Sequence, residues 1–212
     1  MAAAAAGPEP GPLRAWAAAA ARQHAAWRAA LAGWAPPLRS LSALAAQMRA
    51  ARRVAWGRSP LRDCGRDLPA RLWRKQRGAA EALLEELGGR RAELRAVRDG
   101  AAAGLGAALR VCERRAAELG PAAALRRGPR CPSVADALEA LRDLERYYRR
   151  LYLESELLLL RVSCDDLDDM EALPRSWERI LGRYDEDVVQ DTLLKISLFV
   201  DNQQELCSST DS

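Results

Sequence analysis

An all-α fold follows from three features of the chain. Alanine dominates an apolar content of 49%, and β-branched residues are scarce. No segment alternates apolar and polar residues with the two-residue period of a strand. The run "SVADALEALRDLERYYRRLYLESELL", residues 133 to 158, instead repeats apolar side chains at the four-three spacing of a coiled-coil seam. The expected architecture is an elongated antiparallel helical bundle or coiled coil, with short C-terminal helices and a disordered N-terminus.

The elements follow in chain order. Residues 1–12, "MAAAAAGPEPGP", are low-complexity and proline-broken, and read as disordered. The next segment places Trp16, Ala20, Trp27, Leu31 and Trp34 along one helical stripe. Pro36 and Pro37 read as a turn, after which Leu38, Leu41, Leu44, Ala45 and Met48 mark the inner face of a second, short-linked helix. Residues 57–69 contain Gly57, Pro60, Gly65 and Pro69 and read as a loop. From Leu72 to Leu119 a stripe runs through Ala79, Leu83, Leu87, Leu94, Val97, Leu105, Leu109 and Cys112. Gly88, Gly89 and the glycines from Gly100 to Gly106 each cost about 1 kcal/mol relative to alanine, which leaves open one long helix or two. Residues 120–132 form a second loop.

The helix opening at residue 133 has a marked start. Ser133 lies three residues before Asp136, the spacing of a reciprocal cap. Its seam is Ala137, Leu141, Leu144, Tyr148, Leu151, Ser155 and Leu158, widened by Val134, Leu138, Tyr152 and Leu159. A helix of this length needs partner helices along the seam. Beyond it, "SCDDLDDMEA" reads as an acidic connector, and Pro174 suits the first turn of a short helix through Trp177, Ile180 and Leu181. Asp185, Glu186 and Asp187 open a last helix with Val189, Leu193, Ile196 and Val200 inside, and the chain past Asn202 reads as a frayed polar tail. The expected organisation is therefore 1–12 disordered, 13–162 a basic helical body, 163–202 an acidic connector with C-terminal helices, and 203–212 a tail.

Charge is unevenly distributed. The net charge is +4, yet residues 163–212 hold thirteen Asp and Glu against four Lys and Arg, which leaves the body strongly basic. A basic body can meet nucleic acid or an acidic protein surface. The five cysteines, at 64, 112, 131, 164 and 207, show no paired spacing, and the expectation is a reduced intracellular protein. No uninterrupted apolar run reaches the roughly 18 residues of a membrane span, so no membrane partner is expected. The arginine- and alanine-rich start resembles a mitochondrial transit peptide, but Glu9 and the core-like tryptophan stripe argue against that reading.

Recognisable site chemistry is sparse. His24 is the only histidine, which rules out a His-based triad paired with a second histidine and any multi-histidine metal site; it reads as surface or edge packing. The cluster Asp165, Asp166, Asp168, Asp169 and Glu171 lacks the central glycine and terminal glutamate of a calcium loop. Gly104 and Gly106 have no strand before them, and neither Lys75 nor Lys195 follows a glycine, so no dinucleotide or phosphate loop is present. The expectation is no catalytic residue, no metal and no cofactor. Arg71, Arg74, Lys75 and Arg77 beside Trp73, with Arg90, Arg91, Arg95 and Arg98 further on, are the residues for an alternative function, non-specific nucleic-acid binding, in which Arg91, Arg95 and Arg98 on one face track phosphates.

Several strings in the same order, "PLRSLSALAAQMRAA", "RLWRKQ", "SVADALEALRDLERYYRRLYLESELLL", "ALPRSWERI" and "VVQDTLLKISLFV", closely resemble the AIRIM family of AFG-two-interacting ribosome maturation factors. The resemblance implies a non-enzymatic adaptor subunit of an AAA+ ATPase assembly. Its implied partners are AFG-two-type ATPases of the spermatogenesis-associated class and a small helical cyclin-dependent-kinase-interacting protein. Its implied role is cytoplasmic maturation of the pre-ribosomal large subunit by release of a shuttling assembly factor, together with chromatin-associated unfolding of replisome proteins. Cytoplasm and nucleus are the expected locations. On this reading Leu141, Leu144, Tyr148, Leu151 and Leu158 form the interface with the partner's helices; the competing reading makes them internal core. Ser163, followed by Cys164, Asp165 and Asp166, is a candidate acid-directed phosphorylation site.

Overall fold

The computed structural model describes residues 11–60, 67–120, 125, 127, 132–184 and 186–208. Among them are six α-helices and one 3-10 turn, with no strand. The helices are α1 (Gly11–Ala32), α2 (Ala35–Arg53), α3 (Leu68–Leu119), α4 (Val134–Arg161), α5 (Leu167–Leu181) and α6 (Glu186–Ser208); the 3-10 turn spans Trp56–Arg58. Residues 1–10, the side chain of Trp16, Cys64, Cys131 and most of the second expected loop lie outside the described residues.

Local chemistry explains the helix ends, and in places corrects the sequence reading. Pro36 and Pro37 are not a turn between helices; they lie in the first turn of α2, where a missing N–H is harmless. Residues 33 and 34 make the bend instead. Pro69 likewise sits in the opening turn of α3. That helix is continuous, so its glycines interrupt nothing, and it ends where Gly120 adopts a left-handed φ of 79°. At α4, Asp136 N–H donates to Ser133 Oγ at 3.1 Å, while Ser133 N–H and Oγ–H donate to Asp136 Oδ2 at 2.9 and 2.8 Å. The supposed acidic connector is largely the first turn of α5. Asp166 caps it by accepting from the N–H groups of Asp168 and Asp169, both of which lie where the helix dipole favours negative charge. Pro174 therefore falls inside α5 rather than at its start. The α6 helix continues past Asn202 to Ser208.

The long α3 is held by a seam that the sequence reading found at Leu87, Leu94 and Val97 and placed one residue off at Ala79 and Leu109. Ala80, Leu87, Leu94, Ala101 and Ala108 recur every seven residues and are all buried, with Val97 beside them, whereas Ala79 is exposed. Burial along this seam offsets the glycine cost. At Gly100 a Cβ atom would lie 2.7 Å from Gln23 Nε2, so the small residue also admits α1 at close range.

Contacts group the chain into two compact units. The first comprises Met1–Trp27, Ala96–Arg150 and Asp185–Ser212. Its core draws Ala20, His24 and Trp27 from α1, Val97, Ala101 and Ala108 from α3, Ala137, Leu141, Leu144 and Tyr148 from α4, and Val189, Thr192, Ile196 and Phe199 from α6. Leu141 packs with Ala108, Ala140 and Ile196, and Phe199 with Ala137 and Val134.

The second unit comprises Arg28–Arg95 and Leu151–Tyr184. Here α2 and α5 run antiparallel. Trp34 at the start of α2 stacks on Trp177 late in α5, with centroids 4.5 Å apart. Ser42 Oγ–H donates to the Glu171 carbonyl at 3.0 Å. Arg49 at the far end binds Asp168 and, at 2.8 Å, Glu171 Oε2. In the same unit Arg95 and Arg91 reach Tyr152 and Glu156, which sets α3 antiparallel to α4.

Two outcomes follow from this packing. Trp34→Ala is expected to cost about 3–5 kcal/mol in a denaturant melt, because a fully buried ring loses both its burial and its stacking partner. Ser133→Ala is expected to cost about 1 kcal/mol through loss of the α4 cap. The second has a pH signature. The Arg127 guanidinium first, then the Ser133 hydroxyl and N–H, hold the Asp136 carboxyl well below the usual carboxylate range. A lowered folded-state value means the contribution is present above the ordinary carboxylate value and is lost only as pH falls through the depressed one. An NMR titration should find Asp136 still ionised below about pH 4, and Asp136→Asn should weaken the acid limb of the stability profile.

Candidate functional site

The seam residues singled out from sequence lie inside this chain's own packing. Leu141, Leu144, Tyr148 and Leu151 are 4, 2, 0 and 0% exposed. Residues of the chain itself cover that face, Leu141, Leu144 and Tyr148 in the first unit and Leu151 in the second, so an outside helix reaches these four only if the packing opens. Leu158, at the end of the same seam, is half-buried.

Tyr148 organises the first unit. Its ring lies 4.7 Å from that of Trp27, and its hydroxyl is 3.2 Å from His24 Nδ1. The second nitrogen of His24 is 3.5 Å from Gln190 Nε2 on α6. His24 is thus no surface residue: it is 5% exposed, and one imidazole joins α1 to α4 and α6. Burial pushes the Tyr148 pKa up from its ordinary value, which keeps the phenol protonated across the physiological range.

The arginines proposed to track phosphate are largely engaged within the protein. Arg91 and Arg95 face Glu156, and Arg95 Nε–H also donates to Tyr152 Oη at 3.0 Å. Arg98 binds the neighbouring Asp99 at 2.6 Å, Arg90 pairs with Glu93, and Arg77 bridges Glu81 and Asp165. A phosphate must displace these carboxylates, which removes the continuous stripe as a ready-made track. Arg53, Arg58, Arg71 and Lys75 are exposed and make no ion pair among the described residues.

Two surface features among the described residues bear on partner binding and on Ser163. On α4, Leu153, Leu157 and Leu160 are 46, 55 and 69% exposed and recur at i, i+4 and i+7, a leucine face turned away from the buried seam. Sequence periodicity hid it because Leu157 to Leu160 are four consecutive leucines, which cannot all point one way on a helix. Ser163 is exposed and lies in a polar cleft of about 510 Å³ lined also by Arg49, Arg52, Asp165, Asp166 and Asp168. Among the described residues no group of His, Cys, Asp or Glu is arranged to hold a metal ion, and no helix is long and apolar enough to cross a membrane.

Among the described residues the molecule is all-helical, which places it in the class of all-α proteins. Residues 11–198 match the family described as ribosome biogenesis protein C1orf109-like, the CA109-like family, and the chain belongs to it. It is 39% identical over 179 residues to the Homo sapiens AFG2-interacting ribosome maturation factor, spanning 84% of this chain and 88% of that protein. The Xenopus tropicalis protein of the same name is 37% identical over 178 residues, covering 83% and 86%, and the Mus musculus one 34% over 189 residues, covering 89% and 87%.

Tyr148→Phe is expected to lower stability by about 1 kcal/mol in a denaturant melt, because it removes the buried hydrogen bond between the phenol and His24 Nδ1. Leu144→Asp is expected to unfold the isolated chain outright, as a charge replaces a fully packed leucine.

Proposed function

We propose that this protein is a non-catalytic adaptor subunit of an AFG2-type AAA+ ATPase assembly, acting in maturation of the large ribosomal subunit. Family membership and the names of three relatives support the ribosomal role and the ATPase partner. The observation that carries the adaptor reading is the exposed leucine face of α4. Three leucines in water on one stripe, beside a seam already filled, give a neighbouring helix a place to dock without opening the fold.

The interface accordingly consists of Leu153, Leu157 and Leu160, with half-buried Leu158 at its edge, while Leu141, Leu144, Tyr148 and Leu151 hold the helix that presents it. The ATPase hydrolyses nucleotide, and this subunit recruits or places the substrate. The small cyclin-dependent-kinase-interacting helical protein as occupant of this face, the release of a shuttling assembly factor, the chromatin-associated replisome role and a location in both cytoplasm and nucleus rest on the sequence resemblance. Phosphorylation of Ser163 regulates docking in this scheme: about two negative charges arrive beside Asp165, Asp166 and Asp168 and compete for Arg49 and Arg52.

A tagged chain recovered from cell extract at high salt after nuclease treatment should bring down AAA+ ATPases and a small helical partner. Leu157→Asp with Leu160→Asp should reduce recovery of that partner at least 30-fold, the loss of roughly 2 kcal/mol or more typical of an interface anchor, while the thermal melt stays unchanged. Binding that disappears with the nucleic acid would instead assign function to the exposed arginines.

A further inference from the structure

The exposed leucines of α4 are bordered by arginine. Leu153, Leu157 and Leu160 share one stripe. On the same continuous helix Arg150 stands one turn before Leu153 and Arg161 one turn after Leu157, both exposed and neither in an ion pair among the described residues. The acids beside the stripe are already engaged. Glu154 accepts from the Tyr184 hydroxyl at 2.6 Å and pairs with Arg183, whose side chain stays 59% exposed. Glu156 accepts from the Tyr152 hydroxyl at 3.2 Å and faces Arg91 and Arg95. Both carboxylates are thus neutralised within the fold, and the charge left over at the rim of the leucines is positive.

This pattern narrows what covers the face. A nucleic-acid backbone gains nothing from aliphatic side chains, and the stripe offers no aromatic ring for a base to stack on. A bilayer surface needs a broad apolar face, whereas this one spans about 11 Å, two helical turns, on a helix whose opposite side is packed. A second copy bringing the same face sets arginine against arginine, a juxtaposition that suppresses pairing. Its α6 exposes Leu194 and Leu198 with Asp191 nearby, but Lys195 stands beside them, and contact between two unlike faces leaves an open face on every copy. A helix of another protein meets every condition. Aliphatic residues at i, i+4 and i+7 cover the stripe, and carboxylates at its edges reach the two arginines.

We infer that the helix docking on this face is amphipathic with an acidic rim: its aliphatic stripe packs on Leu153, Leu157 and Leu160, and Asp or Glu at its edges pairs with Arg150 and Arg161. The inference rests on the leucine face being the docking surface and adds what that surface selects. Burial of the leucines supplies the affinity, and the arginines reject helices with a basic rim.

The test uses the full-length chain and a fluorescein-labelled amphipathic helical peptide with leucine at i, i+4 and i+7 and glutamate on both edges of that stripe, followed by anisotropy. Matched peptides carry lysine in place of the glutamates or alanine in place of the leucines. The glutamate peptide should bind saturably at low salt, the lysine peptide at least about tenfold more weakly, and the alanine peptide at least about a hundredfold more weakly. Raising the salt should narrow the preference for glutamate over lysine. Arg150→Glu with Arg161→Glu should invert that preference and leave the melting temperature unchanged, since both side chains are exposed. Arg150→Gln with Arg161→Gln serves the comparison if the reversal folds poorly, and should abolish the preference instead. Equal binding of the glutamate and lysine peptides, or a preference untouched by charge reversal, would overturn the inference. So would retention on phosphatidylserine vesicles that the arginine variant loses while no peptide binds, which would make the face a membrane contact. Self-association of the chain that Leu157→Asp removes would make a second copy the occupant. If Leu157→Asp with Leu160→Asp loses the cellular partner while the glutamate and lysine peptides bind alike, the docking surface stands and only its acidic occupant falls. If that variant keeps the partner, the docking surface itself is wrong.

Discussion

The constraint on which this structure depends is a shortage of large side chains. The chain has eleven aromatic residues in 212, and alanine supplies much of its apolar content. Alanine lets helices approach closely but buries little area, so the few large residues must hold the cores. Among the described residues, Trp27, Trp34, Tyr148 and Tyr152 are accordingly the largest fully buried side chains. Two of the tryptophans, Trp27 and Trp34, bury their indole N–H without an acceptor, which shows ring burial outweighing a lost hydrogen bond.

Around these rings, polar contacts fix direction rather than supply most of the stability. Half-exposed ion pairs contribute at most about 1 kcal/mol each. Arg49 with Asp168 and Glu171, and Arg91 and Arg95 with Glu156, nevertheless define which end of one helix meets which end of its neighbour. The acidic residues that make the C-terminal part so negative are in this way partly consumed by arginines of the body. Asp168 and Glu171 on α5 neutralise Arg49 of α2, and Asp165 reaches Arg77 of α3. Other basic side chains stay exposed, among them Arg53, Arg58, Arg71 and Lys75 around the end of α2 and the start of α3, and Arg142, Arg150 and Arg161 on α4.

This arrangement separates two kinds of surface that share a helix. The α4 seam is filled by the chain's own residues, and the leucines on its other side are left in water. An exposed apolar stripe on a helix whose other face is already packed is the kind of patch that marks a contact site for another chain. The leucine run from Leu157 to Leu160 supplies both faces within a single turn.

What the amino-acid order determined by itself is local. The all-α class, the Ser133–Asp136 cap, the faces of α2 and α4 and, on α6, the inward positions of Val189 and Ile196 follow from propensity and period, because neighbouring residues on one helix settle them; the side chain of Val200 lies outside the described residues. The seam of α3 was legible at Leu87, Leu94 and Val97 but displaced by one residue at its start, since an alanine at 79 and another at 80 carry no difference in hydrophobicity to choose between. Pro36, Pro37 and Pro174 misled for a related reason: proline marks a helix start or a break, and only the surrounding backbone decides which. Tertiary structure alone decided that the Tyr148 seam is core, that the lone histidine is buried against it, and that the arginine stripe is neutralised. Each depends on which residues distant in the chain come within a few ångströms, and periodicity along one helix holds no information about what lies opposite.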